Sequence, residues 1–353
     1  MPDLIRPRLV TGRERGFGWA AATAACLVVA VLALSLAWIL GRAYVQAPLP
    51  IGNVPRIVQI QPGDSLIASA EAMASEGILE HPQVFAWYAR LRGDGRSMKA
   101  GEYRIAPGTT RRALLDQLVS GRVLLHAMTI VEGWTFSEMM IAIRAHPAIA
   151  QTLTTNDSAQ IMALLGEPEQ DPEGLFFPDT YQFPRDTSDL SLLKLARKLM
   201  DDRLHEAWAG REPDLPFPTS YAALILASIV EKETALESER TRIAGVFVRR
   251  LERNMRLQSD PTVIYGIGES FDGDIRRRDL NRATPYNTYT RHGLPPTPIA
   301  LPGEASIHAV MHPAPGDALY FVATGNGDGS HYFSATLEEH NEAVRRFLAK
   351  RRH

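Results

Sequence analysis

The chain has 353 residues, of which 45% are hydrophobic, so it is long enough to form one large core or two modest ones. Its 38 Lys and Arg residues nearly balance 40 Asp and Glu residues, which gives no electrostatic footprint for nucleic acid, and we expect no nucleic-acid partner. The single cysteine, Cys26, excludes an intrachain disulfide and a cysteine-based metal site.

The first element is an apolar stretch near the N-terminus. Residues 16–41 carry no charge and exceed the roughly 20 residues that a helix needs to cross a bilayer, which predicts a transmembrane helix. Residues 1–15 before it are rich in arginine, whereas only Arg42 follows closely, which indicates a cytoplasmic N-terminus and an external remainder. A cleaved signal peptide is the competing interpretation, but the apolar stretch is well beyond the roughly 7–15 residues of a signal core.

A Pro and Gly linker over residues 42–55 and a small α+β unit over 56–125 are predicted next. The unit begins with a strand, a Pro-Gly turn and a helix capped by Asp64 or Ser65. A second helix (FAWYARL), a strand (AGEYRI) and a third helix follow, the last capped by Thr109 or Thr110 and closed by Gly121.

The remainder, residues 126–353, predicts a larger mixed α+β domain. It opens with another strand, glycine turn and capped helix over 126–143, followed by a proline-rich stretch. A helix that begins near Thr219 is apolar on every side up to Val230 and must be packed all round. The other elements predicted are a helix over 190–208, a helix over 239–254, a helix with Asp260 as N-cap, a long ordered loop over 285–303, a β-hairpin, and a terminal helix.

Motifs for metal, phosphate and acyl chemistry are missing from the sequence. There is no HExxH motif, and the one His pair at helical spacing, His308 and His312, ends at a proline that disfavours helix. No GxxxxGK[ST] loop and no GxSxG elbow are present. We therefore expect neither a metal nor a cofactor.

Two glutamates, Glu231 and Glu233, follow directly on the apolar run 221–230. Burying an ionised carboxylate without a partner is costly, and the usual relief is that the group keeps a proton and its pKa rises, as a general acid requires. Residues that are two positions apart on a helix point roughly 200° away from each other, so the side chains of Glu231 and Glu233 cannot flank one bond together. Spacing does not choose between them, and it leaves open that both are simply exposed where the helix leaves the core.

Three stretches carry a resemblance to a known family: LASIVEKETALESERTRIAGVFVRRLERNMRLQSDPTVIYGIG, EGLFFPDTY and PYNTYTRHGLPPTPIALPG. They resemble the YceG-like (MltG) family of membrane-bound endolytic murein transglycosylases, most specifically over residues 221–303. The resemblance implies a catalytic domain over 126–353 and a LysM-like subdomain over 56–125, in which VQIQPGDSL is similar to the opening of a glycan-binding LysM module. The fold expected is α+β, with a single N-terminal transmembrane helix.

The resemblance also assigns candidate site residues. The family's catalytic glutamate is the first in its VEKET motif, which falls on Glu231. Other matched positions either contact the substrate or support the cleft, and both roles stay open: these are Glu233, Gln258, Asp260, Tyr286 and Asn287, with Tyr181 and Asp179 of PDTY as further candidates.

The chemistry implied is non-hydrolytic cleavage of the MurNAc–GlcNAc β-1,4 bond of nascent peptidoglycan strands. One protonated carboxylic acid donates to the glycosidic oxygen as an oxocarbenium-like centre develops. The same group, now a carboxylate, takes the proton of the muramic C6 hydroxyl, which closes on C1 to form a 1,6-anhydro ring. Because no water is added, a second carboxylate is unnecessary, and Gln258 and Asn287 are candidates to orient the N-acetyl group.

The family further implies a single-pass protein of the bacterial inner membrane with its catalytic domain in the periplasm. There it acts beside peptidoglycan synthases (penicillin-binding proteins) and terminates strand elongation. One alternative is a hydrolytic muramidase in which Asp260 or Asp179 is the second carboxylate. The other is a non-catalytic glycan-binding scaffold that positions the synthases.

Overall fold

The computed structural model of the chain describes residues 15–350, so most of the segment predicted to be cytoplasmic, 1–15, lies outside the described residues. The described residues form two compact units that divide after Leu124. Both units mix helices with small two-stranded sheets, and the predicted α+β class is confirmed.

The first unit contains four helices and two strands among its described residues. β1 and β2 pair antiparallel, with α2 and α3 between them along the chain. Ser65 caps α2 and Thr110 caps α4, each by accepting a backbone N–H, and Gly121 ends α4 in the left-handed conformation at φ 71°. These caps agree with the sequence prediction. The elements are α1 Arg15–Gln46, β1 Arg56–Ile60, α2 Leu66–Ser75, α3 Pro82–Leu91, β2 Gly101–Ile105 and α4 Arg111–Ser120.

Helix α1 contains a segment, Ala21–Gln46, that is long and apolar enough to cross a membrane, with a mean hydropathy of 2.5 and none of its most apolar window buried. The helix continues to Gln46, beyond the predicted end of the span, so the first part of the predicted linker is helical. The following residues pack on the unit, since Leu49 and Ile51 are buried in its core. This stretch is therefore not a free spacer.

The second unit contains three two-stranded sheets and nine helices among its described residues. β3 pairs antiparallel with β5, β4 pairs parallel with β6, and β7 pairs antiparallel with β8. The elements are β3 Leu125–Thr129, α5 Phe136–Ala145, β4 Ile149–Ala150, α6 Ser158–Leu165, β5 Thr180–Pro184, β6 Thr187–Ser188, α7 Asp189–Ala209, α8 Ser220–Glu233, α9 Glu237–Glu252, α10 Asp260–Ile267 with a 3-10 turn Gly268–Ser270, α11 Arg277–Asn281, α12 Glu304–Met311, β7 Tyr320–Ala323, β8 His331–Ser334 and α13 Leu337–Lys350.

Helix α8 lies at the centre of the second unit. Thr219 caps it by accepting the N–H of Ala222, and every residue from Ala222 to Val230 is buried. Helices α7, α9, α10 and α12 pack against it. The prediction of a helix packed on all sides is confirmed.

Two helix starts differ from the prediction. α9 begins at Glu237, not at Glu239. The prediction that Asp260 is the N-cap of α10 is wrong, because Ser259 is the N-cap and makes no side-chain capping bond. The Ser259 hydroxyl donates instead to Glu233, which leaves α10 to start without that cap.

The predicted long loop over 285–303 is present and is tied to α8. The hydroxyl of Ser228, buried on α8, accepts a hydrogen bond from the N–H of Ile299 at 3.0 Å. Further on, the Gly133 N–H donates to Leu301 O at 2.8 Å, and the Leu301 N–H donates to Trp134 O at 2.6 Å. The end of this loop is thereby fixed between α8 and the turn before α5.

Candidate active site

The last turn of α8 carries two glutamates into different surroundings. Glu231 faces the loop end at Gly303 and the side chain of Arg240, whereas Glu233 faces Ser259. The helix stops immediately afterwards, with Thr234 in an extended conformation. The two carboxyl groups thus have different hydrogen-bond partners, although both side chains line the same cleft.

Glu231 borders an open cleft of about 560 Å³, hereafter the Glu231 cleft. The cleft lies between the turn that precedes α5 and the α8–α9 junction. The Lys232 ammonium spans it at one point by donating to Gly133 O at 3.1 Å. Its lining residues are Val131, Glu132, Gly133, Trp134, Glu138, Glu231, Lys232, Glu233, Thr234, Ala235 and Arg240.

The carboxyl group of Glu231 is held on both oxygens. Its Oε2 accepts the backbone N–H of Gly303 at 3.0 Å, and its Oε1 lies 3.8 Å from Nη2 of Arg240. Only 7% of the side chain is exposed. The carboxyl group thus sits in a sheltered wall with one side towards the cleft.

Glu132 is a second carboxylate in this cleft, and sequence reasoning missed it. Its Oε2 lies 4.0 Å from the same Arg240 nitrogen that Glu231 approaches, and its carboxyl fills the space where a side chain at Gly303 would be. Burial, followed by the negative charge of Glu231, raises the pKa of Glu132, while Arg240 opposes the shift. The available signal was a charged residue in the VEGWT turn, directly before a capped helix.

Arg240, on α9, is a second cation of the Glu231 cleft, beside Lys232, and was also missed. Its side chain is 13% exposed, and it makes two long ion pairs, to Glu231 and Glu132. Its buried Nε has no hydrogen-bond partner among the described residues. Because Arg240 lines the cleft, its guanidinium can bind an oxygen acceptor on a ligand there.

Glu233 also lines the cleft, but its carboxyl group joins a polar network with the start of α10. The Ser259 hydroxyl donates to its Oε1 at 2.5 Å. Burial raises the pKa of Glu233 to about 7; the bond from Ser259 and the charge of Arg250 act in the opposite direction, and Asp260 adds to the increase.

This network joins Glu233 to the loop over 285–303. The Ser259 N–H donates to Oγ1 of Thr288 at 3.0 Å, and the hydroxyls of Thr288 and Thr262 lie 2.9 Å apart. All three of these hydroxyl residues are buried. The position of Glu233 therefore favours a supporting role.

The other predicted residues near the loop lie with Glu233 and are not among the residues that line the Glu231 cleft. Gln258 is exposed and adopts a positive φ of 52°, and its N–H donates to Thr288 O. Asp260 is exposed and accepts the hydroxyl of Tyr289 at 2.6 Å. Asp260 is thus grouped with Glu233 rather than with Glu231.

Tyr286 and Asn287 hold the loop together. The hydroxyls of Tyr286 and Thr297 are 2.9 Å apart, and burial raises the pKa of Tyr286. The Asn287 amide nitrogen donates to three backbone carbonyls, with the shortest distance 2.7 Å to Arg282 O, and its Oδ1 accepts the Tyr289 N–H. Asn287 is buried, so its contacts favour support of the loop over substrate contact.

Tyr181 lies in the core of the second unit. It pairs with Met128 across the β3–β5 ladder, and its hydroxyl donates to Phe177 O at 2.6 Å. Burial raises its pKa. This arrangement speaks against a direct substrate contact, whereas Asp179 is exposed and accepts the N–H of Thr180.

Glu173 is a buried carboxyl group of the EGLFFPDTY stretch that sequence reasoning did not single out. Its Oε1 accepts the N–H of Phe136 at the start of α5, and its Oε2 accepts the Tyr265 hydroxyl. Burial raises its pKa to about 7, and these two hydrogen bonds oppose the shift. The contacts tie three separate segments of the second unit together.

These features define an α+β protein with an apolar N-terminal helix and a cleft built around one sheltered carboxyl group. The profile of the YceG-like family matches residues 58–346. The chain belongs to this family, and the resemblance seen in the sequence is confirmed.

Named relatives cover most of the chain. An endolytic murein transglycosylase of Bacillus subtilis (strain 168) is 29% identical over 312 residues, which cover 83% of this chain and 85% of the relative. An endolytic murein transglycosylase of Streptococcus pneumoniae serotype 2 (strain D39) is 28% identical over 329 residues, 81% of this chain and 57% of the relative. A crystal structure of a yceG-like protein of Listeria monocytogenes has a TM-score of 0.51 at 28% identity, over 82% of this chain and 99% of that chain.

Proposed function

We propose that this chain is an endolytic lytic transglycosylase that cuts the MurNAc–GlcNAc bond of nascent peptidoglycan strands and leaves a 1,6-anhydro-MurNAc end. Family membership supports the reaction, as does the activity for which the relatives are named. The observation that carries the site assignment is the sheltered carboxyl of Glu231 in the wall of an open cleft.

Glu231 is the acid and then the base in this proposal. As a carboxylic acid it protonates the glycosidic oxygen, and as a carboxylate it accepts the proton of the muramic C6 hydroxyl while that oxygen bonds to C1. The N–H of Gly303 orients one of its oxygens, which leaves the other side of the carboxyl to face the sugar.

Glu132 and Arg240 tune this step. Burial, and after it the negative charge of Glu231, raises the pKa of Glu132, so Glu132 keeps a proton to higher pH than an exposed glutamate does, while Arg240 opposes the shift. The guanidinium of Arg240, which lines the cleft, is suited to an oxygen of the glycan, such as the N-acetyl carbonyl or a stem-peptide carboxylate.

The proposed setting is the bacterial inner membrane, with the N-terminus in the cytoplasm and the catalytic domain in the periplasm. The length and hydropathy of the helix within α1 support a single-pass anchor. An anchored enzyme of this kind acts on strands close to the peptidoglycan synthases and ends their elongation. The β-α-α-β order of the first unit is consistent with the LysM-like subdomain, residues 56–125.

The test is mass spectrometry of peptidoglycan digested by the detergent-solubilised full chain. We expect glycan ends lighter by one water than reducing ends, and their loss in the Glu231→Gln variant. Glu233→Gln is the matched comparison from the same helix, and we expect it to keep the anhydro product. Glu169→Gln, at an exposed position, is the control for substitution itself.

A hydrolytic muramidase is the second candidate, because Glu132 provides a carboxylate that the lone-acid mechanism does not require. Asp260, one of the two residues first considered for that role, lies with Glu233 instead. Reducing ends in the digest would establish the hydrolase. Identical behaviour of Glu231→Gln and the unaltered chain on isolated sacculi would instead favour the non-catalytic scaffold.

A further inference from the structure

Helix α3 of the first unit has apolar residues on both of its faces. Its inner face, Phe85, Ala86 and Ala89, is buried in the core of the unit. Its outer face presents Trp87 and Leu91, which are 66% and 77% exposed. Trp87 and Leu91 lie one helical turn apart and form an exposed apolar patch, which calls for an occupant, whereas Gln83 and Arg90 make the rest of the exposed surface of α3 polar.

The fold sets this face beside the end of the apolar helix α1. A cavity of about 700 Å³ lies between α1 and α3. Leu34, Trp38 and Val45 line it from α1, and Val84, Trp87 and Leu91 line it from α3. This set of six residues is hereafter the anchor groove.

The end of α1 is tied to the first unit by Arg111, which is buried at the start of α4. Its Nη1 donates to the carbonyls of Tyr44, Ala47 and Pro48 at 3.3–3.4 Å, and its Nη2 pairs with Glu80 at 2.8 Å. These bonds satisfy carbonyl groups at and just beyond the C-terminus of the helix. They fix the position of the first unit, including α3, along the axis of α1.

With α1 as a membrane anchor, this position of α3 along the helix axis coincides with the membrane surface. The charge-free stretch ends at Gly41, and the α1 residues that line the groove cavity run from Leu34 to Gln46, about 18 Å along the axis at 1.5 Å per residue. The groove therefore straddles the boundary between acyl chains and headgroups. Tryptophan is enriched at this depth.

Cations surround the same cavity. Arg42 and Arg112 contribute to its wall, next to the apolar side chains. Apolar residues with aromatic rings and guanidinium groups at the rim suit the acyl chain and the phosphate of a phospholipid. A soluble protein partner has no comparable reason to lie at this depth.

We propose that the anchor groove is a lipid-binding surface, occupied by phospholipid of the membrane leaflet on the side of the first unit, so that α3 lies in the headgroup region. The inference rests on the proposed membrane anchor and not on the proposed reaction. Its consequence is that the first unit is docked on the bilayer rather than tethered above it.

The test uses the full chain in nanodiscs of phosphatidylethanolamine and phosphatidylglycerol, with nitroxide labels at single cysteines. Position 91 is labelled in a Leu91→Cys, Cys26→Ser chain. The matched control is Ile57→Cys, Cys26→Ser, because Ile57 is an exposed apolar residue of the same unit that does not line the groove cavity. Native Cys26, within α1, reports whether the anchor itself is inserted.

Accessibility to oxygen, which concentrates in lipid, and to a water-soluble nickel chelate is then compared. We expect the ratio of oxygen to chelate collisions at position 91 to exceed that at position 57 severalfold, with position 26 also in lipid. Trp87→Cys, Cys26→Ser provides a second groove position with the same expectation.

Three results would overturn the proposal. Equal, water-like ratios at 91 and 57, with 26 in lipid, mean that the groove faces solvent although the anchor is inserted. Protection of position 91 from both reagents means that protein, such as a second copy, covers the groove. A water-like collision ratio at position 26 means that α1 is not inserted in the bilayer, and the lipid-binding proposal is then wrong. That result does not affect the product analysis that tests the proposed reaction.

Discussion

Glu132 and Glu231, on different segments of the second unit, approach the same guanidinium nitrogen of Arg240, at 4.0 and 3.8 Å. Glu132 comes from the turn before α5, and Glu231 from the last turn of α8. Burial, and after it the negative charge of Glu231, raises the pKa of Glu132, while Arg240 opposes the shift. This arrangement gives the first prediction.

The Glu132→Gln variant should change the pH profile of cleavage above the ordinary titration range of a glutamate. The raised pKa of Glu132 places its titration above that range, and the variant no longer has this group beside Glu231. The loss of rate near neutral pH should be smaller than the roughly 100-fold or greater loss expected when a general acid is removed. The measurement is the rate of anhydro-end formation as a function of pH.

Glu169→Gln is the control, because it removes a carboxylate at an exposed position outside the cleft. An unchanged profile in Glu132→Gln would show that Glu132 does not act on the proton of Glu231. A complete loss of product at every pH would assign Glu132 a direct role in bond cleavage, as in the hydrolase.

Gly303→Ala should reproduce the Glu132→Gln effect without removing a charge. A Cβ at position 303 would overlap the carboxyl of Glu132, and that flexible side chain must swing away. The backbone of Gly303, at φ −78°, suits alanine, and its N–H still reaches Glu231. We expect the same change of the pH profile and no further change in the double variant, because both substitutions act through one contact.

Gly210→Ala is the matched control for this change. A Cβ there meets only ordinary contacts with the carbonyls of Glu206 and Ala207. If Gly303→Ala has a normal pH profile while Glu132→Gln does not, Glu132 acts from a position other than the one in the structure.

Much of the fold follows from local patterns in the sequence. The apolar run from Ala222 to Val230 identifies a helix that must be surrounded, and Thr219, Ser65 and Thr110 mark helix starts because their hydroxyls can accept backbone N–H groups. Asp260 is not the cap because the helix already begins at Asp260, with Ser259 as the N-cap. The Ser259 hydroxyl donates to Glu233, a contact between distant segments that local patterns do not predict.

The candidate site is less accessible to sequence reasoning. The VEKET motif identifies Glu231 from the sequence. Glu132 and Arg240 come close to Glu231 only in the folded chain, where the loop end at Gly303 lies between α8 and the turn before α5. That placement depends on long-range bonds such as the one from Ile299 to Ser228. Periodicity carries no information about such contacts.

Glu173→Gln should remove part of the pH dependence of stability. The folded-state pKa of Glu173 is about 7, above its ordinary 4.5, so the folded chain binds more protons than the unfolded chain between these values. The contribution of Glu173 to the free energy of unfolding is therefore fully present below pH 4.5 and is lost as the pH rises through 7. The difference is on the order of 3 kcal/mol at 1.36 kcal/mol per pKa unit.

Urea unfolding of the two chains at pH 5 and pH 8 checks this prediction. The variant should be less stable than the unaltered chain at pH 5, since it loses a matched hydrogen-bond acceptor, and should gain relative to it at pH 8. A difference between the chains that is the same at both pH values would contradict the prediction. Glu169→Gln, measured alongside, should show no such pH-dependent difference.

Asn287→Ala and Gln258→Ala should separate loop support from substrate contact, the two roles that the motif leaves open. Asn287→Ala leaves three partly buried carbonyl groups without their donor, which costs about 1–3 kcal/mol of unfolding free energy. Gln258→Ala changes an exposed side chain and should alter stability by no more than about 0.5 kcal/mol. If Gln258 contacts the glycan, its loss should raise KM at unchanged stability.

Asp214→Ala is the control for Gln258→Ala, because Asp214 is also exposed and has a positive φ, 59°. Unfolding by urea and steady-state cleavage of soluble glycan strands are measured for all three variants. An Asn287→Ala chain of normal stability but altered KM would assign Asn287 to the substrate. A Gln258→Ala chain with normal KM would exclude Gln258 as a glycan contact. Arg240, which lines the Glu231 cleft, would then remain a candidate hydrogen-bond donor to the glycan.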